Sequence, residues 1–234
     1  MLADPGYASH LTSDERLLLD PRCALCTSPL TRAVETAALA LRGLPAYSAS
    51  GRIGLLPDGR EIASVWGVDS TGGAATDKAI GARAVQELRR VAPTAEGGAE
   101  VAAALEGGTL TLDSKGLCSG HWCARDKSTA HVAARQARLL EALHAQAVDG
   151  GAPAVFVGHS KLFRRLFRKA TSASFCSSDP NLAKRLRHSK IGNCAVLAVD
   201  LRKDPNTSTV TIVAARPVFD PSNQTRARQR TASF

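Results

Sequence analysis

The sequence predicts an α/β fold: a three-layer α/β/α sandwich with a mainly parallel central sheet. Three observations predict it. Short apolar runs alternate with helix-patterned segments along most of the 234 residues. Aromatic residues make up only 4%, so Ala, Leu and Val must fill the core, which suits helices and parallel strands. No internal repeat interrupts the alternation.

The elements follow in order. "LTSDERLLL" (11–19) offers a Thr or Ser cap followed by acids, the pattern of a helix start. "RCALCTS" (22–28) is a short apolar run bounded by Pro21 and Pro29, and reads as a buried strand. "LTRAVETAALALRG" (30–43) reads as a helix ending at Gly43. Residues 44–75 are rich in Gly, Ser and Pro and are expected to form a long loop. Helices are expected over 77–91, within 96–108 and over 128–148. The last has Val132, Ala133, Leu139, Leu140 and Leu143 on one side. "APAVFVGHS" (152–160) is strand-like, and a basic amphipathic helix, "KLFRRLFRKA", follows it. "NCAVLAVDL" (193–201) and "STVTIVAA" (208–215) read as two strands joined by the turn "RKDPNT". The expected division is one domain over 1–217 and a basic, disordered tail over 218–234.

The formal charge is +9. That balance favours anionic partners: phosphorylated substrates, nucleic acid or an acidic surface. Nucleic acid is not expected, because no aromatic residues interleave with the basic groups to stack on bases. The start of the chain lacks the basic-then-apolar pattern of a signal peptide. No apolar stretch reaches the roughly 18 residues of a membrane span. The expectation is a cytoplasmic protein without membrane contact, its six cysteines mostly reduced.

In an open α/β sheet, ligands sit at the carboxyl ends of the strands. Two such ends carry unusual residues. "TSPLTR" places Arg32 on the first turn of a helix, and "VGHSK" places His159 where a strand turns into a helix. Taken alone, an Arg at a helix start is more often a surface ion-pair partner, and a lone His is more often structural. Together, beside two helix N-termini, they make a site for a phosphoryl group. Arg offers a planar fork to two oxygens, and His can bond a third.

These residues carry a resemblance. "SPLTRAVETA" resembles the Ser-Pro-Leu-x-Arg-Ala-x-x-Thr-Ala signature of the histidine phosphatase (phosphoglycerate mutase-like) superfamily. "VFVGHSKLFRRL" is similar to its second block. "DPGYASHLTSDER", "GREIASVWGVDSTGG" and "HWCARDKSTAHVAARQARLLEAL" resemble further segments of it, so the likeness spans roughly residues 4–216. The resemblance implies a phosphomonoester hydrolase or phosphomutase working through a phosphohistidine intermediate on a phosphorylated small molecule or phosphoprotein. It makes Arg32 a phosphate-binding arginine and His159 the second histidine. Glu61 becomes the general acid, and Ser160 adds a backbone N–H at the helix start. It calls for no cofactor.

One departure stands out. The family's nucleophile lies in an Arg-His-Gly motif at the end of a first strand, and this sequence has no Arg-His-Gly. His10 lacks the flanking Arg and Gly and falls in a later segment. The expected fold is therefore phosphoglycerate mutase-like with its first strand missing, and enzyme activity is left open. A truncated chain is the favoured expectation, because Arg32, Glu61 and His159 all remain. The alternative is a catalytically inactive member that binds a phosphorylated ligand.

Two weaker signals complete the reading. Cys23 and Cys26, with Cys118, His121 and Cys123, have zinc-ligand chemistry. Strand alternation, however, turns Cys23 and Cys26 to opposite faces, so no metal is expected. "RQRTASF" at the C-terminus resembles a basophilic kinase site at Ser233.

Overall fold

The computed structural model describes residues 11–61, 77–91, 96–113 and 128–220. The chain divides into two compact units, 1–159 and 160–234.

In the first unit the opening helix α1 (Ser13–Leu17) is fixed by a capping box. The Thr12 hydroxyl accepts from the Glu15 N–H, and the Glu15 carboxylate accepts from the Thr12 N–H. Strand β1 (Ala24–Thr27) follows, then helix α2 (Thr31–Ala40). The expected loop over 44–75 is corrected in its first part. Residues 45–59 fold as helix α3 (Pro45–Ser50), strand β2 (Arg52–Leu55) and a 3₁₀ turn (Pro57–Gly59). Pro45 sits where helices accept proline, and Gly51 takes the left-handed conformation (φ 56°) that ends α3. Residues 62–75 of the expected loop lie outside the described residues.

Helices α4 (Asp77–Val91) and α5 (Gly98–Glu106) stand where they are expected. Strand β3 (Thr111–Asp113), absent from the sequence reading, follows them. Helix α6 (Thr129–Gly150) is capped by the Ser128 hydroxyl and leads into β4 (Ala154–Val157). The four strands form one parallel sheet in the order β3-β2-β1-β4. Short parallel strands joined by helical crossovers are the α/β pattern that the alternation predicts. The core gathers Leu25, Ala37, Ala38, Ile53, Leu88 and Val101 among its fully or nearly buried side chains.

The two strands nearest the site differ in burial. Strand β1 lies between β2 and β4, and three of its four residues are buried. Strand β4 is an edge of this sheet, and all four of its residues are half-buried although every one is apolar.

The second unit begins with helix α7 (Ser160–Ala170). Two helices missing from the sequence reading follow, α8 (Ala173–Ser178) and α9 (Pro180–His188). Ser172 caps the first and Asp179 the second, and Pro180 starts α9 at its preferred position. The expected hairpin is present as β5 (Val196–Lys203) and β6 (Val210–Phe219). It pairs antiparallel, as a two-stranded sheet of its own. Strand β6 runs two residues beyond the expected domain end at 217, and residues 221–234 lie outside the described residues. Phe167, Phe175, Ala183, Leu186 and Ile212 form this unit's core.

Candidate functional site

The site of the first unit grows from the end of the β1–β4 ladder. Thr27 pairs with Val157 in parallel register. The ladder closes with two bonds to one carbonyl: the Ser28 N–H and the Thr27 hydroxyl both donate to Val157 O, at 3.1 Å each. Beyond this point the strands leave Ser28 and His159 side by side at the sheet's carboxyl edge. His159 Nε2 and Ser28 Oγ are hydrogen-bonded at 2.9 Å. Ser28 is fully buried and His159 is 7% exposed.

Two arginines charge this edge. Arg32 stands on the first turn of α2 and stays solvent-exposed. Arg135 projects from α6 and is 4% exposed. Burial, first, and then the positive charges of Arg32 and Arg135 push the His159 pKa from 6.5 down to about 4. The imidazole is therefore neutral at physiological pH and offers one donor and one acceptor. The charge of Arg32 is felt at His159. Ser28, a residue of the quoted signature to which the sequence reading gave no role, is the histidine's direct partner.

Arg135 was missed from sequence, and so was its surrounding frame. The expected inward stripe of α6 included Ala133 and Leu143. Instead Ala133 is exposed, Leu143 is half-buried, and the buried positions are Val132, Arg135, Gln136, Leu139 and Leu140. The signal was available: Arg135 and Gln136 interrupt an otherwise apolar i, i+3, i+4, i+7 series. Arg135 Nη2 donates to the Arg60 carbonyl at 3.1 Å. Its Nε–H is buried and finds no hydrogen-bond acceptor among the described residues. Burial and the neighbouring Arg60 charge lower the Arg135 pKa to about 10, while Asp58 and Glu61 act to raise it. A buried guanidinium short of acceptors is a place where an anion is stabilised.

Glu61 is half-buried at the end of a pinned segment. One helical turn from Arg135, Arg138 makes a bidentate pair with Asp58, at 2.9 and 3.0 Å. Gly59 lies so close to the ring of Phe156 on β4 that a Cβ there would collide with it. Two arginines of α6 and one aromatic ring thus hold residues 58–60 in place. Ser160 opens α7 and belongs to the second unit, so chain order alone places it after His159.

The two buried thiols of the first unit are engaged in hydrogen bonds. Cys26 donates to Gln146 Oε1 at 3.1 Å, and burial pushes its pKa up to about 12. Cys23 donates to the Leu17 carbonyl, and burial raises its pKa too. Among the described residues no group of three or more His, Cys, Asp or Glu is placed to hold a metal. Cys118, His121, Cys123 and Ser233 lie outside them. Among the described residues no helix is long and apolar enough to cross a membrane.

No family model matches this chain, and no curated protein or solved structure matches it either.

Proposed function

We propose that the first unit binds a phosphoryl group of a phosphorylated small molecule or phosphoprotein, in the manner of the histidine phosphatase superfamily. One observation carries the reading. A neutral, buried His159, held by Ser28, shares the carboxyl edge of a parallel sheet with the charges of Arg32 and Arg135. Three phosphoryl oxygens match that set: the forks of Arg32 and Arg135 neutralise charge, and His159 donates one bond without adding charge of its own. Glu61, on its pinned segment, is the candidate acid for a leaving oxygen. The quoted sequence blocks support the reading further.

Covalent catalysis of this type needs a histidine nucleophile, and its Arg-His-Gly motif is not in this sequence. Among the described residues β4 stands at one edge of its sheet, and a parallel first strand added beside it would end next to His159. The enzyme reading places the nucleophile on such a strand, outside these 234 residues. The alternative reading is a binding protein that holds a phosphorylated ligand without turnover. Four free cysteines among the described residues, two of them buried, support the cytoplasm as the location.

Thermal protection by inorganic phosphate tests the site. The expected result is a rise in melting temperature that Arg32→Ala abolishes. Equal protection in both proteins overturns the site. Turnover of an aryl phosphate by a chain extended in frame with Arg-His-Gly, and none by the 234 residues, separates enzyme from binder.

A further inference from the structure

The charge of the protein is segregated between its units. Residues 1–159 carry 15 Lys and Arg against 17 Asp and Glu, a net −2. Residues 160–234 carry 15 against 4, a net +11. The overall +9 conceals this split.

All four acids of the second unit are already engaged. Asp179 caps α9, accepting from the Leu182 N–H at 2.9 Å. Asp204 holds the hairpin turn, accepting from the backbone N–H groups of Asn206 and Thr207. Asp200 pairs with Arg216, and Asp220 lies 3.5 Å from Arg185. Four acids face fifteen Lys and Arg, so most of the unit's positive charge exceeds what its acids can match. The helices present much of the remainder outward. Lys161, Arg165, Arg168 and Lys169 are exposed on α7, and Lys184 on α9 and Lys190 just beyond it are exposed as well. Both helices bury their apolar stripes: Leu162, Leu166 and Phe167 from one, Ala183 and Leu186 from the other. The two helices pack against each other, so their outward faces adjoin.

We infer that this basic face binds the phosphodiester backbone of a nucleic-acid duplex, independently of the phosphoryl site. Three features favour that occupant. Arg outnumbers Lys ten to five in this unit, and a guanidinium grips a phosphate with two donors where an ammonium acts as a point charge. The 11 residues of α7 extend about 16 Å, over which a duplex presents roughly nine phosphate charges. The apolar stripes are buried, with Phe167, Ala183 and Leu186 in the unit's own core, so neither helix has an apolar face free to lay into a bilayer. The lack of interleaved aromatics argues against stacking on single-stranded bases. It does not bear on backbone contacts, which need only charge and donors.

The test is fluorescence anisotropy of a 25-base-pair, random-sequence DNA duplex titrated with the full chain from 50 to 200 mM salt. With about six phosphates neutralised, the logarithm of affinity falls with log salt at a slope near −5, a loss of about 10³-fold across that range. The triple variant Arg165→Gln, Arg168→Gln, Lys169→Gln makes the slope shallower by about 3. Lys184→Gln with Lys190→Gln, on the other helix, makes it shallower by about 2. Arg89→Gln with Arg90→Gln, exposed cations of the first unit, leaves it unchanged. No duplex binding at 50 mM salt overturns the inference. So does a slope insensitive to both second-unit variants, or capture by phosphatidylserine vesicles with no binding of the duplex.

Discussion

The two units handle positive charge in opposite ways. In the first, several surface arginines are paired with acids: Arg42 with Glu96 and Glu100, Arg52 with Asp113, Arg89 with Glu106, Arg138 with Asp58. The charges of Arg32 and Arg135 act together on the buried His159. In the second unit the acids serve caps, a turn and two ion pairs, and the cations spread over helix faces. The lesson concerns where an anion would be held. A site with a buried His and a buried Arg beside one exposed Arg fits one compact group, whereas a dispersed exposed set fits an extended polyanion.

Substitutions in each unit test this contrast. Truncating each core tests whether the units are stabilised separately. Phe175→Ala removes a 2%-exposed ring from the second core and should cost about 3–5 kcal/mol. Amide exchange should show lost protection concentrated in 160–220, and uniform loss across both units would break the division. Ile53→Ala, at a fully buried site of the first core, should cost about 2–5 kcal/mol with the opposite distribution.

The third concerns pH. His159 has a folded pKa of about 4 against 6.5 unperturbed, so between those values the unfolded chain binds the extra proton. Stability is complete above pH 6.5 and falls as pH drops towards 4, by about 3 kcal/mol for this residue. Denaturant titrations at several pH values should show that slope, and His159→Gln should flatten it. An unchanged slope in the variant would mean that another group is responsible.

The fourth is local. Gly59→Ala forces a Cβ into the Phe156 ring and should cost about 1–3 kcal/mol. Phosphate protection should weaken with it, because the segment that ends in Glu61 must shift. The smallest effect belongs to Ser128→Ala. Loss of the cap on α6 should lower stability by about 1 kcal/mol in a thermal melt, with phosphate protection unaltered.

Much of this was legible in the sequence, for physical reasons. The strands "ALCT" and "AVFV" are apolar, short and bounded by turn residues, and the helices after them carry a clean 3.6-residue period. Arg32 and His159 were visible because each directly follows such a strand. Strand β2 was hidden because "RIGL" is four residues long, contains a glycine and sits in a Gly-, Ser- and Pro-rich stretch. Helix α9 had its signals in Asp179 and Pro180, but its basic residues drew attention to charge instead of to capping. Arg135 was hidden by the assumption that an inward stripe is apolar, and Ser28 because a buried hydroxyl has no sequence period. The charge division could not be drawn until the unit boundary at 159/160 was known.

The central claim is that Arg32, His159 and Arg135 form one anion site. The most direct measurement is the phosphate-induced shift in melting temperature for the native chain, Arg32→Ala and Arg135→Met, at fixed ionic strength. The native chain should show a shift that both substitutions remove, with Arg32→Ala leaving the phosphate-free melt unchanged. A full shift in either variant would contradict it.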